Sequence, residues 1–275
     1  MTFLERLAAR VEVVGTSLCL GVDPDPVALP AGFSQDIAGI ERFAKLLIES
    51  AAPQVAAVKV NVAFFEAFGS GGIASLERVR AAVPSGVPFI ADAKRGDIGS
   101  TAARQAVALF DALGADAMTA SPYLGRDALE PFLALTDRLV YVLCRTSNAG
   151  ASEIQDLMVA GEPLYLHVAR RAAVWAEGQE NVGLVVGATA SAEMRAIRAT
   201  APDLPFLVPG VGAQGGDLEA ATATGPATAG AAAAIRGGGL LVNVSRGIAA
   251  EARAADDPGA AVEAAARRWA DTLRC

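Results

Sequence analysis

Along the chain, short hydrophobic runs alternate with longer Ala-rich stretches in which apolar positions recur every three or four residues. Eight runs have the length and β-rich composition of strands: 18–23, 56–62, 88–92, 117–121, 139–145, 183–187, 206–209 and 240–244. Most are apolar at consecutive positions, the pattern of a parallel strand covered by helices on its outer face. Between the first two, Ile37, Ile40, Ala44, Leu47 and Ile48 follow the helical period, and Asp36 stands where an N-cap belongs. Eight β/α units without a break in composition predict an α/β fold, a single (β/α)8 TIM barrel occupying residues 1–275 as one domain. A doubly wound open sheet is the runner-up. No Gly-x-Gly-x-x-Gly follows the first strand, so a dinucleotide fold loses support.

Two stretches are less regular. Residues 148–163, NAGASEIQDLMVAGEP, read as a long connection, which in a compact domain is often a functional loop. Residues 218–236 are rich in Ala, Thr and Gly and read as a helix pair packing small side chains against the barrel.

Composition narrows the picture. The chain has 275 residues, which suits a barrel of about 250. It carries 23 basic against 30 acidic residues, a net charge of −7, which argues against a nucleic-acid surface. That balance still permits a small anionic ligand, because one local cation and a helix N-terminus suffice for a phosphate. Cys19, Cys144 and Cys275 are scattered without metal-ligand spacing, and no His/Cys/Glu cluster suits a transition metal. The first fifteen residues carry charges throughout, and no apolar stretch reaches the roughly 18 residues a membrane span needs. A soluble cytoplasmic protein is expected.

The segment FIADAKRGDIGST is the most informative. An apolar strand ends in Asp92, Ala93 and Lys94, followed by a glycine-bearing turn, Asp97 and a helix starting near Ser100. Strand side chains alternate, so Asp92 and Lys94 share a face, and in a barrel that face is the interior at the carboxyl end, where active sites lie. Lys59, flanked by Val58 and Val60, supplies a second cation that is costly to bury unless it meets carboxylates. The alternative is a set of ion pairs that merely plug the barrel. Near the end of the chain, PFLVPGVGAQGGD and VNVSRGI place a glycine-rich loop with Gln214 after the seventh strand and Arg246-Gly247 after the eighth. Loops at those two positions often bind phosphate in this fold. His167, the only histidine, sits in a helical stretch, so a histidine-based triad is excluded and a surface or packing role is expected.

DAKRGDIGST resembles the Asp-x-Lys-x-x-Asp signature of the orotidine 5'-phosphate decarboxylases, which complete UMP synthesis. The likeness extends through LGVDPDP, VKVN, TSNAGA, PGVGAQGGD and VSRGI, and its form is similar to the longer bacterial (type 2) subgroup. The resemblance implies a cofactor-free lyase acting on orotidine 5'-phosphate. It also implies an alternating charged tetrad of Lys59, Asp92, Lys94 and Asp97, with Lys94 the proton donor. Asp97, Ile98 and Thr101 match residues that reach into the partner subunit's site, which implies a homodimer. Asp23 matches a ribose-binding aspartate, Ser147 the serine that holds the pyrimidine, and Gln214 and Arg246, with Gly247, the phosphate site. Ser245 departs from the glycine many relatives carry there.

Two rival readings stand beside this one. Sugar-phosphate decarboxylases and aldolases of the same superfamily share the signature, but they use Mg2+ with a glutamate on strand two, where this chain has Lys59. A non-catalytic binder of phosphorylated ligands would need the phosphate site without the tetrad.

Overall fold

The computed structural model describes residues 1–211 and 215–275. Each expected run contains a strand: β1 Leu18–Val22, β2 Ala57–Asn61, β3 Phe89–Arg95, β4 Ala117–Ala120 and β5 Leu139–Arg145. A two-stranded hairpin, β6 Met158–Val159 and β7 Glu162–Pro163, precedes β8 Val182–Val186, β9 Phe206–Pro209 and β10 Leu241–Val244. All strands but the hairpin pair in parallel and close a barrel, in the order β1-β2-β3-β4-β5-β8-β9-β10 and back to β1.

Two cores follow from the alternation of strand side chains. Outward residues such as Leu20, Val58, Val60, Val140, Val142 and Val242 are buried under the surrounding helices. Among those helices α2, Ile37–Ala51, buries Ile40, Ala44, Leu47 and Ile48, and Asp36 caps it by accepting from the Gly39 N–H at 3.0 Å. Inward residues Cys19, Ala57, Ile90, Ala117, Leu139, Tyr141, Val185, Leu207 and Leu241 form the second core. The first helix, α1, Phe3–Val14, closes this core from below with Phe3, Leu4, Leu7 and Val11. A capping box between Thr2 and Glu5 fixes its start. Asp116 ties the floor together: it accepts from the Phe89 N–H at 2.9 Å and lies within 4 Å of Arg6, Arg80 and Arg138.

Three regions refine the sequence reading. β3 runs to Arg95, beyond the expected end at 92, because its register slips against β4: Ala91 pairs with Met118, yet Arg95 pairs with Ala120. Within this bulge Lys94 takes φ +49°, a left-handed conformation that costs a non-glycine residue about 1–3 kcal/mol. The long connection at 148–163 contains a short 3-10 turn, Ala149–Glu153, and the β6/β7 hairpin. The stretch 218–236 does form two short helices, Leu218–Thr224 and Gly230–Ala233. His167 sits, partly exposed, on the Leu164–Trp175 helix, with Nε2 2.8 Å from the Val159 carbonyl. Among the described residues no helix is long and apolar enough to cross a membrane.

Candidate active site

The carboxyl ends of β1 to β3 carry a row of alternating charges. Lys59, on the inward face of β2, is 3% exposed and donates to Asp92 Oδ2 at 2.7 Å. Its ammonium also lies 3.8 Å from Asp23 Oδ1, just past the end of β1. Lys94 donates to the other Asp92 oxygen, Oδ1, at 2.6 Å. Alternation alone does not bring these two together. The β3 bulge swings the Lys94 backbone so that its N–H donates to Thr119 Oγ1 at 3.0 Å, while the Thr119 hydroxyl donates to Asp92 Oδ1 at 2.9 Å. One buried threonine thus holds both the strained backbone and the carboxylate beside it.

The electrostatics follow from burial against pairing. Burial by itself would depress Lys59, but Asp23 and Asp92 outweigh it and hold the ammonium above the usual lysine pKa. Burial would raise Asp92, yet Lys59 and Lys94 overcome it and keep that carboxyl well below the usual range. Below them, burial pushes the Cys19 thiol up to about 12, so it stays a neutral floor residue. The row therefore holds an obligate anion between two ammonium groups, one buried and one half-exposed.

Lys59, Asp92, Lys94 and Thr119 line one side of a cavity of about 440 Å3, a size suited to a small ligand. Leu143, Val185, Leu207 and Pro209 give it apolar walls, and Ser147 stands with Thr146, Asn148 and Gln155 at its edge. Gly187 makes room for Ser147: a Cβ at 187 would come within 2.8 Å of the Ser147 Cβ and backbone N. Asp23 faces a second cavity of about 480 Å3, which it shares with Ser245 and Arg246. Arg246 opens the short helix Arg246–Ala249 directly after β10, and its side chain is exposed. Asp23, 3.8 Å from Lys59 of the first cavity, stands between the two linings.

The structure thus gathers Asp23, Lys59, Asp92, Lys94 and Ser147 at one mouth, with Arg246 adjoining. Asp97, Ile98 and Thr101 do not join them within the chain. Asp97, partly buried, accepts at Oδ1 from the Ile98 N–H, Ile98 is 61% exposed and Thr101 is exposed on the Gly99–Ala106 helix, and none of the three lines either cavity. Gly247, on the helix just after β10, packs against Val244 and Trp269, which a Cβ there would meet at 3.1 and 3.3 Å. Gln214 lies outside the described residues.

Sequence reasoning missed Thr119, Gln155 and Asn243. Thr119 had a signal, a lone hydroxyl in the apolar run AMTA. Asn243 had one too, a buried amide between valines on β10, with an Oδ1 that finds no partner among the described residues. Gln155 had none, being one polar residue among many in a connection. Also among the described residues, no group of three or more His, Cys, Asp or Glu side chains is disposed to hold a metal ion.

Comparison with known proteins gives this geometry its context. The profile of the "Orotidine 5'-phosphate decarboxylase / HUMPS family" matches residues 16–265. The orotidine 5'-phosphate decarboxylase of Thermomicrobium roseum is 50% identical over 278 residues, covering 99% of this chain and 95% of that protein. That of Roseiflexus castenholzii is 48% identical, covering 100% of this chain and 96% of its own length. The solved OMP decarboxylase of Leishmania donovani superposes with a TM-score of 0.82 at 41% identity, covering 100% of this chain and 99% of that one. The match encloses every strand of the barrel and the whole charged row, and the chain belongs to the orotidine 5'-phosphate decarboxylase / HUMPS family.

Proposed function

We propose that this protein decarboxylates orotidine 5'-phosphate to UMP, the last step of UMP biosynthesis, as a cofactor-free carboxy-lyase of the cytoplasm. The observation that carries the reading is the hydrogen-bonded row Lys59–Asp92–Lys94 at the carboxyl end of the barrel, in a chain half identical to a protein of that name. Residues 1–275 act as one barrel domain in this reading.

The chemistry needs what the row offers. When the bond from C6 of the pyrimidine to the carboxylate breaks, CO2 departs and the electron pair stays on C6 without a conventional sink. The Lys94 ammonium stabilises that charge as it develops and then transfers its proton to C6, forming the C–H bond of UMP. Asp92 holds Lys94 in place through their 2.6 Å hydrogen bond, and Lys59 keeps Asp92 anionic. Ser147 holds the pyrimidine, Asp23 the ribose, and Arg246 with Gln214 and the Gly247 loop the phosphate, so that remote binding energy serves the step at the ring. The Mg2+-dependent alternative is disfavoured by Lys59, whose ammonium occupies the space between Asp23 and Asp92 where a metal would need a carboxylate.

Asp97, Ile98 and Thr101 complete the site of a second subunit in a homodimer. The exposure of the apolar Ile98 and of Thr101, neither of which lines the cavity of its own chain, supports this. Mixing the inactive Lys94→Ala and Asp97→Ala proteins then restores turnover through hybrid dimers with one intact site; a mixture as dead as its components overturns the shared site. The activity itself is tested by loss of orotate-ring absorbance when the protein meets orotidine 5'-phosphate in excess EDTA. Rapid conversion to UMP is expected, and a folded protein that converts none refutes the reading.

A further inference from the structure

The connection at 148–163 leaves β5 and returns to the Leu164–Trp175 helix, and it is fastened to the end of β5 at two adjacent points. Arg145, the last residue of β5, makes a two-pronged pair with Asp156, Nε to Oδ1 at 2.8 Å and a second nitrogen to Oδ2 at 3.1 Å. Next to it, Gln155 Oε1 accepts from the Thr146 backbone N–H at 2.8 Å, and Gln155 Nε2 donates to Thr146 Oγ1 at 2.9 Å. The Thr146 hydroxyl donates in turn to Asn148 Oδ1 at 2.6 Å. These bonds bracket Ser147 on both sides. From behind, Gly187 lets Ser147 settle against β8, and the Gly187 N–H donates to the Arg145 carbonyl at 2.7 Å.

Gln155 is therefore not simply a polar residue of a surface loop. It lines the same cavity as Lys94, yet both ends of its amide are turned to Thr146. An amide that satisfies a backbone N–H and a hydroxyl of one residue fixes that residue's backbone, and with it the direction of the next side chain. The Arg145–Asp156 pair holds the neighbouring Gln155 in reach and limits the entropy lost when it binds Thr146.

We infer that Gln155 is a positioning residue that aims Ser147 at the pyrimidine and so sets affinity for the base portion of the substrate. This rests on the reading given above, in which Ser147 holds the ring. Gln155 touches no reacting atom. Its contribution passes wholly through the Thr146–Ser147–Asn148 turn, which separates it from Lys94, whose contribution is to the chemical step.

The test is a double-mutant cycle on Gln155 and Ser147 with KM and kcat read separately. Gln155→Leu keeps the volume but removes both bonds, and it should raise KM for orotidine 5'-phosphate about tenfold, the equivalent of one to two hydrogen bonds, with kcat little changed. Ser147→Ala should do the same, and the double variant should be no worse than either by more than about threefold, because the two act on one contact. Inhibition by ribose 5-phosphate, which has no base, should stay unchanged in all three. Gln155→Glu keeps the acceptor for the Thr146 N–H and should recover much of the lost affinity.

A Gln155→Leu protein with unaltered KM, losses that multiply to about a hundredfold in the double variant, or an equal loss for ribose 5-phosphate would each overturn the inference. If Gln155→Leu does not fold, Thr146→Val removes the hydroxyl while leaving the N–H, and it carries the same expectations in a milder form. Failure here is distinct from failure of the broader reading: the latter appears as a wild-type protein without turnover, which would refute both.

Discussion

The two ends of the barrel interior are built on opposite physical terms. At the floor, Cys19, Ala57, Ile90, Ala117, Leu139 and Leu241 pack without exposed surface against Leu7 and Phe3 of α1. Two residues further along β2, β3, β4 and β10, at the next inward position, stand Lys59, Asp92, Thr119 and Asn243, polar or charged and nearly as buried. The floor is held by area removed from water, at roughly 25 cal/mol per Å2, and by close packing. The mouth gains little from burial, because each charge there must first be desolvated and is then compensated by its neighbour. The floor therefore tolerates exchanges that conserve volume, whereas the mouth does not tolerate loss of its buried cation, Lys59. The floor is stabilised by packing alone, whereas the mouth keeps its shape only while each buried charge keeps its partner.

The sharpest way to break this division is Lys94→Ala. The side chain is half-exposed, so the melting temperature should move by only a few degrees, while turnover should fall at least about 10³-fold as both proton donor and local charge disappear. Retention of more than a tenth of wild-type activity would sink the assigned role.

Lys59→Met tests the mouth from the other side. It leaves Asp92 and Asp23 facing a buried gap, and denaturant unfolding should show a loss of about 3–5 kcal/mol together with loss of activity. A variant as stable as wild type would mean that water compensates Asp92 and the row contributes nothing to folding.

Leu7→Ala is the matching cut at the floor. A fully buried leucine in a closed core should lose about 2–5 kcal/mol, yet kcat should hold, since no atom of the mouth moves. A drop in kcat larger than about tenfold in the folded protein would show that floor and mouth are mechanically coupled.

The smallest expected effect is in pH. Asp92 is depressed in the folded protein, so its contribution is present above the ordinary aspartate value of about 3.9 and is lost as pH falls from there toward the folded value. Lys59 is raised, so its contribution is complete below about 10.4 and is lost only as pH rises through the folded value. Between these limits the row adds an even stability. Urea midpoints of wild type and Asp92→Asn, which does not titrate at that position, should begin to converge only below about pH 4 when compared from pH 7 to 3. Convergence already near neutral pH would contradict the sign of the Asp92 shift.

The architecture was legible because each strand run is short, apolar and separated from the next by a periodic helix, a pattern that depends only on local sequence. The charged row was partly legible for the same reason: Asp92 and Lys94 are two residues apart, and a lysine among valines must find an anion. The contacts that complete the row are long-range. Thr119 meets Asp92 across 27 residues, and its place depends on a register slip no single strand reveals. The latch between Gln155 and Thr146 lies in a segment whose composition marks a connection but not its internal bonds. For Asp97, Ile98 and Thr101 only the family likeness suggested a role apart from the cavity of their own chain, since nothing in their own spacing turns them away from the mouth.

The left-handed backbone at Lys94 sets a trade-off at a single position. A chain selected for stability alone would carry glycine there, since glycine adopts that conformation without steric conflict. Glycine has no amine, so the substitution that relaxes the backbone removes the ammonium that pairs with Asp92 at 2.6 Å. The barrel thus carries a local conformational debt at the one residue where it has no chemically acceptable relief, and Thr119 is what keeps that debt from being discharged by local rearrangement.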